Sequence, residues 1–133
     1  MPSMADITVK KADDATNVIY VSLAPSSGDT VPSVWRQEAM ATQPNLKATV
    51  SLRAGWNGPR DARRVQMDFM YPFTATDTTT GLTTVIARIP IQVTATIPQL
   101  VTDTVISEAV AQCGNLLDHA LIQSCFKAGY AAT

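Results

Sequence analysis

The middle of the chain carries a strict two-residue alternation of polar and apolar positions. Lys47, Thr49, Ser51 and Arg53 alternate with Ala48, Val50 and Leu52, which predicts a strand with one polar and one apolar face. Gly55-Trp56-Asn57-Gly58-Pro59-Arg60-Asp61 is a turn by composition. Beyond it Arg64, Gln66 and Asp68 alternate with Val65, Met67 and Phe69 as far as Tyr71-Pro72, so the two segments form a natural antiparallel pair. The threonine-rich residues 74–84, with Asp77 and Gly81, read as an extended loop. The longest alternation follows: Val85, Ala87, Ile89, Ile91, Val93, Ala95 and Ile97 share one face, and Ile86, Arg88, Pro90, Gln92, Thr94 and Thr96 the other. Pro90 has no amide hydrogen for a ladder, which predicts an edge strand or a bulge there.

The N-terminal part is also β-rich. Ile7-Thr8-Val9-Lys10 and Asn17-Val18-Ile19-Tyr20-Val21-Ser22-Leu23 flank the polar Asp13-Asp14-Ala15-Thr16 and read as a hairpin. Residues 24–33 hold Pro25, Gly28 and Pro32 and form a loop, and a third strand is expected over residues 33–41 around a core Trp35. From about Asp103 the period becomes helical. Val105, Ile106, Ala109, Val110, Cys113, Leu116 and Leu117 form one apolar stripe, with Thr102 or Asp103 as the N-cap. A break between Asp118 and Ala120, with Gly114-Asn115 as an alternative earlier end, precedes a second stripe of Leu121, Ile122, Cys125 and Phe126. A sheet followed by two amphipathic helices is an α+β arrangement, in one domain with a β-rich part (1–101) and a helical part (102–133). The apolar face of the sheet needs cover, and the helices, from the same chain or from a partner, are the cover on offer.

Composition narrows the function classes. The 133 residues are 46% hydrophobic and only 16% charged, which excludes a disordered polyelectrolyte. Ten Lys and Arg against eleven Asp and Glu, a net charge of -1, exclude a uniformly basic protein but leave room for a local basic patch. So low a charge suits a surface largely covered by other subunits. Lys47, Arg53, Arg60, Arg63 and Arg64 form such a patch, with Asp61 as the acid close in sequence. No apolar run approaches the ~20 residues of a membrane span. Met1-Pro2-Ser3-Met4-Ala5-Asp6 lacks the features of a secretory signal, so a soluble, non-secreted product without membrane association is expected. One histidine and no C-x-x-C argue against a metal site. No catalytic motif or phosphate-cradling glycine loop occurs, so no enzyme activity and no cofactor are expected. Cys113 and Cys125 read as reduced core residues, and His119 as a helix-end residue.

The order of elements and several segments resemble the coat proteins of single-stranded RNA bacteriophages of the levivirus type. The resemblance covers nearly the whole chain. It is sharpest at Ala24-Pro25-Ser26, at residues 47–53, at residues 64–69 running to Tyr71-Pro72, and at Val93-Thr94-Ala95-Thr96-Ile97 leading to Thr102-Asp103 and the helical stripes. It implies an N-terminal hairpin, a five-stranded antiparallel sheet and two C-terminal helices that lie over the sheet of a second copy. An obligate homodimer would follow, its interface built from Val105, Ile106, Ala109, Val110, Cys113, Leu116, Leu117, Leu121, Ile122 and Phe126. Dimers would assemble in the bacterial cytoplasm into an icosahedral shell, with residues 74–84 as the loop that adapts at the symmetry axes.

The resemblance further implies that the polar face of the sheet binds single-stranded genomic RNA, and a stem-loop over the replicase start whose capture represses translation. Carried over by position, the RNA-binding residues are Lys47, Thr49, Ser51, Arg53, Arg64, Gln66, Asp68, Gln92 and Thr94. Alternation puts the same residues on the polar face. Lys and Arg neutralise phosphates, and Thr, Ser and Gln offer hydrogen bonds to extruded bases. Asp68 departs from the pattern, in which lysine is frequent, and an acid repels phosphate. That counts against specific hairpin recognition more than against general packaging. The same face would also suit a dimeric RNA-binding regulator that forms no shell. A non-viral α+β domain that binds protein or a small ligand is the reading from a different class.

Overall fold

The computed structural model describes residues 2–133. Its elements, in chain order, are β1 (Ile7–Lys10), β2 (Asn17–Ala24), β3 (Ser33–Arg36), two single 3-10 turns (Glu38–Met40 and Pro44–Leu46), β4 (Thr49–Trp56), β5 (Ala62–Thr76), β6 (Thr83–Pro98), α1 (Asp103–Asp118) and α2 (Ala120–Ala128). Two compact units result, Met1–Thr96 and Ile97–Thr133.

In the first unit the strands lie side by side in sequence order as one six-stranded sheet, antiparallel at each pairing from β1 to β5. The hairpin and the sheet are not separate, because β2 pairs with β1 on one edge and with β3 on the other. Where the resemblance implies a hairpin beside a five-stranded sheet, both hairpin strands belong to a single sheet of six. The hairpin turn is fixed by Asp13, whose Oδ1 accepts from the amides of Thr16 and Ala15, both at 3.0 Å. Those bonds, Thr16 first, pull the Asp13 pKa down to about 2.

Three boundaries differ from the sequence reading. β3 stops at Arg36 instead of continuing to Ala41. Glu38-Ala39-Met40 are helix formers with no β-branch, and they coil into a 3-10 turn before Pro44 opens a second one. β4 begins at Thr49 and runs through Gly55 and Trp56, which pair with Arg64 and Arg63. The turn is thus confined to residues 57–61, where the Asn57 Oδ1 accepts from the amides of Asp61 (3.1 Å) and Ala62 (3.3 Å). The expected extended loop of residues 74–84 shrinks to 77–82. Its threonines are β-branched and prolong both strands instead, with Thr76 and Thr83 hydroxyls 2.9 Å apart across the pair. Gly81, at φ 72°, takes the left-handed position that closes this loop.

The core is small: Tyr20, Trp35 and Ala48 are buried together, with Met4, Val18, Met40, Val50, Leu52 and Phe69 packed against them. Register explains the grouping, since Trp35 lies opposite Val50, and Val50 opposite Phe69. The Trp35 indole N–H donates to the Ala5 carbonyl at 2.8 Å. The ring of Tyr20 meets Phe69 edge-on at 6.3 Å, and burial raises the pKa of the Tyr20 phenol.

The second unit is the helix pair. Thr102 holds the N-cap position of α1, though its side chain makes no capping bond. His119 adopts extended backbone, ends α1 and caps α2, its Nδ1 accepting from the Leu121 amide at 3.2 Å. The break therefore falls at the expected residue. Gly129, at φ 76°, closes α2. Neither helix has a buried residue. Val105 (57% exposed), Val110 (61%) and Phe126 (68%) show the state of the apolar stripe. Within the single chain neither cysteine lies in a core: Cys113 is exposed and Cys125 half-buried. A pair of short helices has no interior to offer them.

Trp35→Ala should lower the unfolding free energy by about 3–5 kcal/mol, through lost burial and a residual cavity. Denaturant titration at fixed protein concentration, followed by the fluorescence of the remaining Trp56, measures it; a loss below 1 kcal/mol would show that Trp35 is not the centre of the core.

Candidate nucleic-acid interface

The in-register pairing of β4 with β5 builds the polar face two residues at a time. Thr49 lies opposite Met70, Ser51 opposite Asp68, Arg53 opposite Gln66, and Gly55 opposite Arg64. Cross-strand partners share a face, so Thr49, Ser51, Arg53, Arg64, Gln66 and Asp68 are brought together. On the other side β3 adds Val34 opposite Ser51 and Arg36 opposite Thr49. Gln92 of β6 reaches this face too, donating from Nε2 to Asp68 Oδ1 at 3.0 Å. Thr94, on the same strand, is exposed.

Charge is distributed unevenly over this surface. Lys47, just ahead of β4, is not a free cation. Its side chain is only 8% exposed, and its ammonium is hydrogen-bonded and ion-paired with Glu38 Oε2. The other oxygen of Glu38 takes Arg36 Nε at 2.6 Å. The Lys47 and then the Arg36 hydrogen bonds hold the Glu38 carboxyl below the ordinary carboxylate range. Arg53 and Arg64 are exposed and belong to none of the ion pairs among the described residues. A shallow recess of about 170 Å³ opens beside them, bounded by Thr30, Gly55, Trp56 and Gln66.

Asp68 is accommodated by amides. The buried Gln66 donates from Nε2 to both of its oxygens, at 3.1 and 3.2 Å, and Gln92 to one. These hydrogen bonds, Gln66 before Gln92, and the charge of Arg53 depress the Asp68 pKa. The acid is thus a fixed anion in the middle of the polar face.

Arg63 alternates out of phase with Arg64 and is committed elsewhere. Opposite Trp56 in register, its guanidinium lies 4.9 Å over the indole and grips Asp29 with two hydrogen bonds of 2.9 and 2.8 Å. Trp56, expected in a turn, ends β4 under this cation. Three residues of the charge arrangement escape sequence reading: Arg36, Glu38 and Asp29. Asp29 and Arg63 are 34 positions apart, and no local pattern announces the pair. Arg36 was findable, since it alternates with Trp35 on an expected strand. Among the described residues no three His, Cys, Asp or Glu side chains are placed to hold a metal ion, and no helix is long and apolar enough to cross a membrane.

No protein-family model matches the chain, and no curated protein sequence does. Solved structures match over nearly its full length. The virus-like particle of Beihai levi-like virus 21 superposes with a TM-score of 0.82 at 10% identity, covering 99% of each chain. That of bacteriophage NT-214 gives 0.79 at 19% identity, covering 99% of this chain and 100% of the other. The chain has the coat-protein fold of the levi-like phages. The capsid protein of bacteriophage GA has it too, at a TM-score of 0.69, 17% identity and 95% coverage of each chain. At such identities it is the coat-protein fold that is shared, not side-chain chemistry, so Asp68 and its two glutamines are read from this chain alone.

A depressed carboxyl pKa stabilises the folded state above the unfolded pKa of about 4 and is lost as pH falls through the folded value. The Asp68 network should therefore be intact at neutral pH and open only in acid. Carboxyl-carbon NMR on disassembled protein should find the Asp68 midpoint below that of an ordinary aspartate, and Gln92→Ala should move it upward. An unmoved midpoint would remove Gln92 from the network.

Proposed function

We propose that this protein is a structural coat subunit: it dimerises, assembles into a closed shell and packages single-stranded RNA against the polar face of its sheet. The observation that carries the reading is the near-complete superposition on chains from virus-like particles, joined to apolar surface that a lone chain leaves wet. Val105, Val110, Leu116, Leu117, Leu121 and Phe126 are all exposed on the helices, as are Tyr71, Phe73, Ile89 and Ile91 on the strands. Removing such a side chain from water is worth about 1.5–3 kcal/mol, so a partner that covers the stripe has an ample driving force. A second copy supplies both surfaces in matched number, which favours a symmetric homodimer over an unrelated partner. The stripe, with Ile106, Ala109, Cys113 and Ile122, is the interface in this reading.

RNA packaging is supported by the exposed Arg53 and Arg64 among hydroxyl and amide donors. Lys47 and Asp68 contribute less to it, the first through its partner Glu38 and the second through its sign. The role is structural, with no catalytic step. In the infected host the protein would belong to the virion.

Electron microscopy and the 260/280 nm absorbance ratio of bacterially expressed, nuclease-treated protein test the reading. Uniform shells with protected nucleic acid are expected; a dimer without nucleic acid that never assembles would overturn the shell. Arg53→Ala with Arg64→Ala should lower the RNA content severalfold while dimers persist, and an unchanged absorbance ratio would remove this face from packaging. Val110→Asp with Leu117→Asp should abolish dimerisation, because a carboxylate cannot enter a dry interface unpaired. A double variant that still sedimented as a dimer would contradict the helical interface.

A further inference from the structure

We infer that Glu38 acts as an internal stand-in for phosphate: it withdraws Lys47 from the RNA-binding face and leaves contact with the backbone to arginines outside its reach, Arg53 and Arg64 among them. The inference rests on the proposed RNA-packaging reading and names which end of the face does the work. By register Arg36 marks the Thr49 end of the face, and Gly55 with Arg64 the other. At ~3.3 Å per residue the ends lie about 20 Å apart along β4.

At the Thr49 end Glu38 engages both cations. Glu38 Oε1 accepts from Arg36 Nε at 2.6 Å and Oε2 from the Lys47 ammonium. The two acceptors and their spacing are what a phosphate diester would present to the same donors. The side chain of Lys47 is 8% exposed and that of Glu38 33%, so the lysine is the more enclosed member of the pair. A phosphate can reach Lys47 only by displacing Glu38. Arg36 gives up Nε alone and keeps its terminal amino groups, so its withdrawal is partial.

At the other end, by contrast, the guanidinium forks of Arg53 and Arg64 are free of ion pairs among the described residues and border the recess with Gln66 and Gly55. Asp68 lies between the ends, its oxygens turned to Gln66 and Gln92 and not to an arginine. It therefore leaves the donors of Arg53 available.

The triad sits where local structure brings it together. Arg36 ends β3, Glu38 opens the 3-10 turn after it, and Lys47 follows the second turn, nine residues from Glu38. Glu38 thus fastens the two turns to the sheet with the same contacts that mask the lysine.

The test is the salt dependence of binding. A fluorescent 20-nucleotide oligouridylate is titrated with wild-type and Glu38→Gln dimers over a series of sodium chloride concentrations. Each cation newly released to phosphate steepens the log-affinity slope against log salt by about 0.7 for a single strand. Glu38→Gln should steepen it by at least that amount and tighten binding severalfold at low salt. An unchanged slope and affinity, in a variant whose melting curve matches wild type, would overturn the inference while leaving RNA packaging intact. Absence of binding by wild type would instead sink the packaging reading and this inference with it. Should Glu38→Gln alone fold poorly, Glu38→Gln with Lys47→Gln removes both charges. Its slope should be no shallower than wild type's, because the pair was already silent. A slope shallower by about 0.7 would mean that Lys47 does contact phosphate, and would refute the masking.

Discussion

The register of β4 against β5 is the constraint on which the rest of the molecule depends. Because side chains alternate with a period of two, the pairing that sets Val50 against Phe69 also sets Ser51 against Asp68 and Arg53 against Gln66. A slip of one residue would put Phe69 and Met67 in water and Asp68 beside Trp35, losing core and polar face together. The core is small enough that Trp35, Val50 and Phe69 dominate it. Their burial is therefore what holds Arg53, Arg64 and the Asp68 network in place on the far side of the same strands.

A second constraint comes from what each unit cannot bury. α1 and α2 are well formed at their ends, with His119 serving both helices and Gly129 closing the second. Yet their long apolar stripe remains exposed. Intrinsic propensity and capping account for the helices as local structures; nothing within the pair accounts for Val105, Val110 or Phe126 lying in water. Surface of this size on a chain with so few charges is the mark of an interface. The coat-protein fold supplies a reading in which a second copy completes the core, and it is on that physical need, more than on the likeness alone, that the proposed dimer rests.

Where the period was clean, the sequence was readable. The alternations through Ser51 and through Gln66 located β4, β5 and their faces, and the stripe from Val105 to Leu117 located α1 and its end at Asp118. Residues whose structure depends on tertiary partners were not readable. Residues 37–41 read as more strand because Trp35 dominated their neighbourhood, yet the side chain of Glu38 is committed to Lys47 and Arg36, and Pro44 begins a turn. The basic patch looked nearly free of acids because only Asp61 was close in sequence. In space Glu38 and Asp29 pair with Lys47 and Arg63, so two of the five cations in the patch have an acid partner. Ion pairs closed across loops leave no periodic trace. They are the part of a binding face that a pattern of polar positions cannot resolve.

Pro90 shows how the two constraints meet. It sits midway along β6, the last strand in the sheet order. A proline there deprives the strand of one donor. A proline nitrogen on the free edge costs the single chain nothing, but it removes one ladder bond per copy where a second β6 pairs with it, twice over in a symmetric dimer. A net backbone hydrogen bond is worth about 0.5–1.5 kcal/mol, so the seam would be poorer by roughly 1–3 kcal/mol. One large stripe residue buried on each helix pair offsets that. In the proposed dimer, strand pairing therefore sets the alignment of the two copies, while the helical stripes, with six large exposed side chains apiece, provide most of the affinity.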